Sequence, residues 1–171
     1  MKRILILGPP GAGKSTLARV LGERLNLPVT HLDRLYWTPG WKPTEPDEFR
    51  ERVSRAVAGE GWVIDGNYSV TYDLRFPRAD TAIHLDFSTT TTLYRILRRM
   101  IVGLGRVRSD GPDGCPERFD REFVWWTLTF RRLRRPRILA ALETYSESLQ
   151  VITLTDSCAV DRFLCDLDAS A

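Results

Sequence analysis

The stretch GPPGAGKS, residues 8–15, decides the fold of this chain. It fits the pattern G-x-x-x-x-G-K-[ST], in which a glycine-bracketed loop ends in a lysine and a hydroxyl residue. A largely apolar run at Arg3–Leu7 precedes it, and a helical pattern from about Lys14 to Leu25 follows it. A loop placed between a strand and a helix lets backbone N–H groups converge on phosphate oxygens beside the positive end of the helix. The stretch therefore predicts a phosphate-binding loop (P-loop).

The P-loop pattern also predicts which residues meet a nucleotide. Lys14 would reach the β- and γ-phosphates, and the Ser15 hydroxyl would bind Mg²⁺. A second contact to Mg²⁺, through water, is expected from a carboxylate at the end of a strand beside the first strand. Asp65 is the first choice and Asp86 the second, although either can instead cap the segment that follows it. We expect ATP and Mg²⁺ as cofactors, with nucleotide contacts from Gly8, Gly11, Ala12, Gly13, Lys14, Ser15 and Thr16.

Apolar runs alternate with longer amphipathic stretches along the chain, which is typical of βαβ units and a parallel sheet covered on both faces. The 171 residues can bury one substantial core, so we predict a single domain with an α/β fold of three αβα layers. Thr44 is expected to cap a helix that begins near Pro46, after a loop. Parallel strands are expected at Arg3–Leu7, Val29–Leu32, Trp62–Asp65, Thr81–Asp86 and Val151–Leu154.

Glycine and proline interrupt the helical pattern between about residues 103 and 120, which predicts a mobile lid. Phosphoryl transfer depends mainly on positioning and charge neutralisation, and arginines on a closing lid suit both tasks. Arg106 and Arg108 lie in this segment, and Arg98 and Arg99 lie on the helix that leads into it. We predict catalytic roles for these four arginines, because a guanidinium binds phosphate oxygens bidentately and keeps its charge on desolvation.

The acceptor of the phosphoryl group is expected on the other side of the P-loop. Asp33 follows the second strand and can hold or deprotonate an acceptor hydroxyl, or can instead pair with Arg34. Gly66 and Asn67 follow Asp65, and the glycine would let an acceptor approach the backbone. Arg75 and Arg78 are candidates for binding an acceptor phosphate, or can instead pair with Asp73 or Asp80. Tyr36, Trp37 and Trp41 can stack on a planar acceptor or belong to the core. His31 and His84 are expected to be structural.

Charge is unevenly distributed along the chain. Twelve arginines and five acidic residues lie between Arg95 and Arg137, so this stretch predicts an anionic partner or a solvated basic helix surface. No run of 18 apolar residues occurs, and the start of the chain reads directly into the P-loop, so we expect a soluble, cytoplasmic protein without a membrane contact. Cys115, Cys158 and Cys165 lack the close spacing of a zinc site and are expected to be reduced thiols.

The chain resembles the adenylate-kinase-like P-loop kinases and, within them, the DNA topology modulation protein group. The likeness is carried by GPPGAGKST, HLDRLYWTPGW, WVIDGNY, ADTAIHLDF, RVRSDGPDGCPERFDREF and RRPRIL, which together span most of the chain. The resemblance implies a sheet with the kinase strand order 2-3-1-4-5, a lid, ATP with Mg²⁺, and transfer to a nucleotide or another small acceptor. It also implies that Asp65 orients magnesium-bound water and that Arg98 or Arg99 is the arginine at the start of the lid. Thr155, in the loop Thr155-Asp156-Ser157, would contact adenine through the backbone.

The sequence departs from the nucleotide kinases at two places. Asn67-Tyr68-Ser69 stands where those enzymes usually have Phe-Pro-Arg, and the lid has one cysteine, Cys115, in place of a four-ligand zinc set. The group label implies an effect on DNA supercoiling, but neither a helix-turn-helix nor a zinc finger is present in the sequence. Two hypotheses follow. The first is a kinase for a nucleoside, nucleotide or similar small acceptor. The second is a nucleic-acid-associated NTP-binding regulator that acts through the basic segment at residues 131–135.

Overall fold

A computed structural model describes residues 1–108 and 110–169. Five strands form one parallel sheet: β1 (Arg3–Leu7), β2 (Val29–His31), β5 (Trp62–Asp65), β6 (Thr81–Leu85) and β7 (Gln150–Leu154). Their spatial order is β2-β5-β1-β6-β7, which is 2-3-1-4-5 when only the strands of this sheet are counted. The predicted three-layer P-loop fold and its kinase strand order are confirmed.

Within residues 1–108 and 110–169, eight α-helices connect and cover the strands. They are α1 (Lys14–Leu25), α2 (Leu32–Tyr36), α3 (Pro46–Ala56), α4 (Tyr72–Arg75), α5 (Thr89–Val102), α6 (Arg121–Leu133), α7 (Arg135–Thr144) and α8 (Ser157–Ala169). Short 3-10 turns at Ser69–Thr71 and Phe76–Arg78 flank α4. Within the described residues, no helix is both long enough and apolar enough to cross a membrane.

Alternation of side chains along β1 divides the core into two halves, one on each face of the sheet. Leu5 and Leu7 pack with residues of α3 and α7, whereas Ile4 and Ile6 pack with residues of α1 and α8. All four β1 residues are completely buried. A strand that is apolar on both faces must be covered on both faces, so β1 lies at the centre of the sheet and holds the P-loop at its carboxyl end.

Two local predictions are wrong. The loop after β2 contains a small antiparallel hairpin, β3 (Trp37–Thr38) with β4 (Lys42–Pro43), turned by Gly40 and Trp41 at positive φ. Thr44 does not cap α3, because its buried hydroxyl donates to the carbonyl of Leu35 and Glu45 occupies the cap position instead. Ser88 caps α5, since its hydroxyl accepts a hydrogen bond from the Thr91 N–H.

The predicted lid segment, residues 103–120, joins α5 to α6; Ser109 within it lies outside the described residues. Its two arms meet where the Gly105 N–H donates to the Glu117 carbonyl and the Glu117 N–H donates to the Arg106 carbonyl. The segment therefore leaves and re-enters the fold at one place, at the end of α5 and the start of α6.

Candidate active site

Three glycines of the P-loop adopt backbone conformations that other residues rarely reach. Gly8, Gly11 and Gly13 have φ values of 141°, 76° and 95°. A Cβ on Gly8 would lie 2.4 Å from the Leu85 carbonyl oxygen, and one on Gly11 would lie 2.7 Å from that of Thr92. The loop thus passes so close to β6 and α5 that only glycine fits at these two positions.

The Lys14 side chain folds over the P-loop. Its Nζ donates to the carbonyl oxygens of Gly8 and Pro9, each at 3.0 Å. Burial lowers the pKa of Lys14, and the negative charges of Asp65 and Asp33 oppose that shift. Ser15 and Thr16 follow at the start of α1 and face the same cavity as Lys14. Of the predicted nucleotide residues, Gly11, Gly13, Lys14, Ser15 and Thr16 line one cavity at the N-terminus of α1, whereas Gly8 and Ala12 lie outside its lining.

Asp65, the last residue of β5, is buried and lines the cavity beside the P-loop. The His31 Nδ1–H donates to its Oδ1 at 2.8 Å, and this hydrogen bond is the main reason why the pKa of His31 is raised. Ser15 and Asp65 offer hard oxygen donors, and Mg²⁺ is usually bound by one or two protein oxygens together with substrate phosphates and water. These residues fit a magnesium ion.

Asp86, the second candidate for the carboxylate that contacts Mg²⁺, is paired with Arg135 instead. Arg135 donates to both Asp86 oxygens, from Nε at 2.8 Å and from Nη2 at 2.7 Å. This bidentate ion pair lowers the pKa of Asp86 and ties α7 to the end of β6. Asp86 therefore holds α7 in place, and Asp65 remains the candidate for the carboxylate that contacts Mg²⁺ through water.

Asn67 supports the P-loop directly. Its Oδ1 accepts from the Gly8 N–H at 3.0 Å, and its Nδ2 donates to the Gly8 carbonyl at 2.9 Å. Asn67 and Gly66 both line the cavity, as predicted for acceptor contacts, but the side chain of Asn67 is occupied by the P-loop backbone. The amide thus holds the loop that follows β5 against the loop that follows β1.

Arg75 does not take the position predicted for binding an acceptor phosphate. Its side chain is completely buried, and its guanidinium donates to the Thr71 hydroxyl and to the carbonyls of Gly66 and Asn67. Burial lowers the pKa of Arg75 to about 10. Its neighbour Arg78 donates to the Ala58 carbonyl. Both arginines therefore support the backbone, and the sequence could not show this because their partners are main-chain oxygens.

Asp33 lies on α2 at the acceptor side of the cavity. The Tyr68 hydroxyl donates to its Oδ1 at 2.7 Å, and burial together with the charge of Asp33 raises the pKa of Tyr68. Asp33 is itself exposed. Tyr68 therefore fixes the carboxylate while one oxygen stays available to an acceptor hydroxyl.

The four predicted lid arginines divide into two pairs. Arg99 and Arg108 line the cavity, whereas Arg98 and Arg106 are exposed and lie outside its lining. Glu117 contacts both members of the first pair, at 3.2 Å from Arg99 Nε and 2.8 Å from Arg108 Nε. The predicted roles of Arg98 and Arg106 do not fit these positions.

One cavity of about 960 Å³ joins the P-loop to the acceptor side. Its wall carries an aromatic set that the sequence indicated only in part: Tyr36, Trp37, Trp41, Tyr68, Tyr72, Phe123, Trp126 and Phe130. The Arg134 guanidinium lies 4.0 Å from the centre of the Trp126 ring, and Arg137 also lines the wall. Five of the eight lie in two other stretches of the chain, at 68–72 and 123–130, which only the fold brings to the same cavity.

The lid segment meets the hairpin across the mouth of the cavity. The Gly40 N–H donates to the Gly114 carbonyl at 3.0 Å, and the Trp41 Nε1–H donates to that of Pro116 at 3.0 Å. The buried Cys115 thiol donates to the Thr38 carbonyl at 3.3 Å. Through these contacts, residues of the lid segment and of the hairpin cover the candidate site.

Thr155 follows β7 at the carboxyl end of the sheet but lies outside the lining of this cavity. Its hydroxyl donates to Asp156, and the Asp156 carboxylate accepts from the Ala159 N–H. Arg95, which lines the cavity, donates to the Ser157 hydroxyl at 2.8 Å. The loop predicted to contact adenine is therefore linked to the cavity edge through Arg95.

Two comparisons with known proteins agree with this geometry. The AAA domain family matches residues 4–101, which include the P-loop, β1 to β6 and almost all of α5. Adenylate kinase 1 of Nostoc sp. (strain PCC 7120 / SAG 25.82 / UTEX 2576) is 35% identical over 86 residues, covering 39% of this chain and 47% of the relative. The chain thus spans less than half the length of that curated relative. Neither comparison names the DNA topology modulation group, which stays a prediction.

Proposed function

The chain belongs to the AAA domain family, and from this membership and the geometry of its cavity we propose that it is an ATP-dependent kinase for a small acceptor, a nucleoside or nucleotide. One observation carries the proposal. Lys14 and Ser15 of the P-loop and Asp33 of the acceptor side line the same cavity, beneath aromatic rings suited to a planar base. The similarity of part of the chain to an adenylate kinase supports the same reading.

At the donor end, the backbone of the P-loop and Lys14 would bind the β- and γ-phosphates of ATP. Ser15 would hold Mg²⁺ directly and Asp65 would hold it through water; the ion supplies neutralisation of charge on the phosphate oxygens. Asn67 keeps the P-loop in place through its two hydrogen bonds to Gly8. These residues orient the γ-phosphoryl group toward the acceptor side of the cavity.

At the acceptor end, Asp33 would accept the proton of the attacking hydroxyl. The hydroxyl oxygen forms a bond to the γ-phosphorus, the bond from that phosphorus to the β–γ bridging oxygen breaks, and ADP leaves. Tyr68 holds Asp33 in the orientation that this proton transfer requires. The hairpin and lid exclude water, which would otherwise compete with the acceptor for the phosphoryl group.

Release of ADP tests the proposal. Purified protein is given ATP and Mg²⁺ with a panel of nucleosides, nucleoside monophosphates, sugars and hydroxy acids. We expect one class to stimulate release, and Asp33→Asn to reduce stimulated turnover at least about a hundredfold while ATP affinity changes less than about twofold. The control Asp47→Asn alters an exposed carboxylate on α3 and should behave as the wild type. Tight ATP binding without stimulation by any acceptor would contradict the kinase.

A nucleic-acid-associated NTP-binding regulator is the second candidate. Of the basic segment at 131–135, Arg134 contacts Trp126 and Arg135 pairs with Asp86, which Arg131 also approaches at 4.0 Å. Arg131, Arg132 and Trp125 of α6 are all exposed. Cations beside an exposed aromatic ring are suited to single-stranded nucleic acid. Binding of labelled DNA or RNA that weakens steeply with salt, and is lost in an Arg131→Ala/Arg132→Ala variant, would favour this candidate.

A further inference from the structure

The Glu117 carboxylate is buried between two arginines of the candidate site. It lies at the end of the lid segment with 5% of its side chain exposed, and its Oε1 is 3.2 Å from Arg99 Nε and 2.8 Å from Arg108 Nε. Arg99 comes from α5, and Arg108 comes from the lid segment, on the arm opposite Glu117. One carboxylate oxygen therefore lies between two of the guanidinium groups that line the cavity.

The backbone around Glu117 is fixed as firmly as its side chain. Its N–H and C=O both bond to the opposite arm of the lid, at Arg106 and Gly105, each at 2.9 Å. Gly103 packs against it so closely that a Cβ there would lie 2.9 Å from the Arg99 carbonyl and 3.4 Å from the Glu117 Cγ. The carboxylate is thus held in place from the main chain, before any contact with an arginine.

Charge explains why a carboxylate is needed at this position. The positive charges of Arg99 and Arg108 both lower the pKa of Lys14, so the two guanidinium groups act on the phosphate end of the cavity. Burial and the neighbouring Arg108 lower the pKa of Arg99, and Glu117 and Asp110 oppose that shift. Two partly desolvated cations repel each other unless an anion lies between them. Glu117 supplies one such anion, and Asp110 is a second carboxylate beside the pair.

In each guanidinium Nε is the atom nearest Glu117, and the contacts are ion pairs and not aligned hydrogen bonds, because Arg99 Nε and Glu117 Oε1 have no hydrogen-bond partner within the described residues. An arginine held in this way keeps its two terminal nitrogens for another partner, and these are the atoms that bind a phosphate bidentately. Asp110, at 3.6 Å from Arg108 Nη1, is the other carboxylate near the pair. Asp110 thus takes one terminal nitrogen of Arg108, and both guanidinium groups line the cavity that also holds Lys14.

We propose that Glu117 is a positioning residue that presents Arg99 and Arg108 to the terminal phosphate of a nucleoside triphosphate. The inference rests on the proposed function, because it takes the ligand of the P-loop to be ATP. It adds a recognition step: the protein distinguishes a triphosphate from a diphosphate through two arginines that a single buried carboxylate holds. Glu117 also lines the cavity, and in this role it would act through the two arginines.

Equilibrium binding of ATP–Mg²⁺ and ADP–Mg²⁺, followed without any acceptor, tests this inference. Glu117→Gln keeps the size of the side chain and removes its charge. We expect the variant to bind ATP about tenfold more weakly than the wild type and to bind ADP within about twofold of it. Glu143→Gln, an exposed change on α7, is the matched control and should alter neither affinity. Equal loss for both nucleotides, or tighter ATP binding by Glu117→Gln, would overturn the inference.

A double-mutant cycle separates positioning from a general effect on the lid. In an Arg99→Ala/Arg108→Ala background, Glu117→Gln should cause no further loss of ATP affinity, since its action passes through those arginines. Additive losses would overturn the inference. If Glu117→Gln does not fold, Arg99→Lys and Arg108→Lys provide the same test. Each keeps the charge but loses the fork, so we expect weaker ATP binding with unchanged ADP binding, and unchanged ATP binding would overturn the inference.

Nucleotide binding, measured separately from phosphoryl transfer, distinguishes a failure of the role proposed for Glu117 from a failure of the proposed kinase function. A wild-type protein that binds no ATP contradicts both of them. A wild-type protein that binds ATP and shows no effect of Glu117→Gln contradicts only the role of Glu117. If ATP is bound with the expected dependence on Glu117 but no acceptor stimulates ADP release, the recognition step stands and the kinase does not.

Discussion

His31 and Asp65 are register partners on neighbouring parallel strands, and the His31 Nδ1 lies 2.8 Å from the Asp65 Oδ1. Both residues end their strands at the edge of the sheet that carries the P-loop. The imidazole therefore fixes the orientation of the carboxylate proposed to hold magnesium-bound water. Groups that orient a metal carboxylate in this way change metal affinity when they are removed.

Replacing His31 should raise the requirement for magnesium. We expect His31→Leu to raise the Mg²⁺ concentration for half-maximal ADP release about tenfold, because Asp65 loses the donor that orients it. His31→Asn places an amide N–H near the position of Nδ1 and should restore most of the wild-type response. The measurement is a magnesium titration at saturating ATP. Identical titrations for the two variants would show that the hydrogen bond has no such role.

Arg75 should matter for stability and not for binding of the acceptor. Arg75→Met leaves buried carbonyls at Gly66 and Asn67 without their donor, and we expect a loss of about 3 kcal/mol in the free energy of unfolding. Urea unfolding measures the change. Arg78→Met, which removes one hydrogen bond to the Ala58 carbonyl, is the control and should cost about 1 kcal/mol. A stable Arg75→Met protein with impaired acceptor use would restore the predicted phosphate role.

The fold could be predicted from the sequence because its strongest signals are local. The P-loop pattern, the buried strand before it and the helix after it specify one βα unit, and α1 begins and ends where it was predicted, at Lys14 and Leu25. The hairpin at 37–43 could not be predicted, because it depends on the positive φ of Gly40 and Trp41 and on contacts with the distant lid.

The candidate site could be predicted at the donor end and only in part at the acceptor end. Lys14, Ser15 and Asp65 follow from a motif and from strand order, both of which the sequence shows. The roles of Arg75 and Asn67 depend on main-chain oxygens and N–H groups that come close only in the folded chain. Glu117 gave no signal at all, because a lone acidic residue among lid arginines resembles an ordinary surface charge until its burial is known.

His84 should make the protein less stable in mild acid. It is buried in β6, no hydrogen-bond partner reaches either ring nitrogen within the described residues, and burial lowers its pKa below the usual 6.5. The unfolded chain then binds more protons than the folded chain below about pH 6.5, so the free energy of unfolding falls as the pH falls through this range. His84→Leu removes this dependence.

Urea unfolding at about pH 7.5 and about pH 5.5 checks the role of His84. The stability of the wild type relative to His84→Leu should be lower at the acidic pH. His31→Leu is an internal control of opposite sign: the pKa of His31 is raised, so its contribution is present below about pH 6.5 and is lost as the pH rises. An equal difference between wild type and His84→Leu at both pH values would contradict the assignment of a neutral, buried imidazole.

The contact between Trp41 and Pro116 should hold the lid segment on the hairpin. Trp41→Phe keeps an aromatic ring but removes the Nε1–H donor, so we expect the lid to open about fivefold more often. Limited trypsin digestion measures the opening through cleavage after the exposed Arg106, and Trp125→Phe on the outer face of α6 is the matched control. Cleavage at the same rate in Trp41→Phe and wild type would mean that the lid is held by its other contacts.

Transfer of labelled phosphate from [γ-³²P]ATP to the stimulating acceptor is the most direct test of the central claim, with wild type and Lys14→Ala compared at equal concentration and the fold of each checked by cooperative unfolding. A kinase mechanism predicts labelled acceptor with the wild type and a loss of at least about a thousandfold with a folded Lys14→Ala protein. Label that reaches the acceptor equally with both proteins, or that appears only as inorganic phosphate, would contradict it.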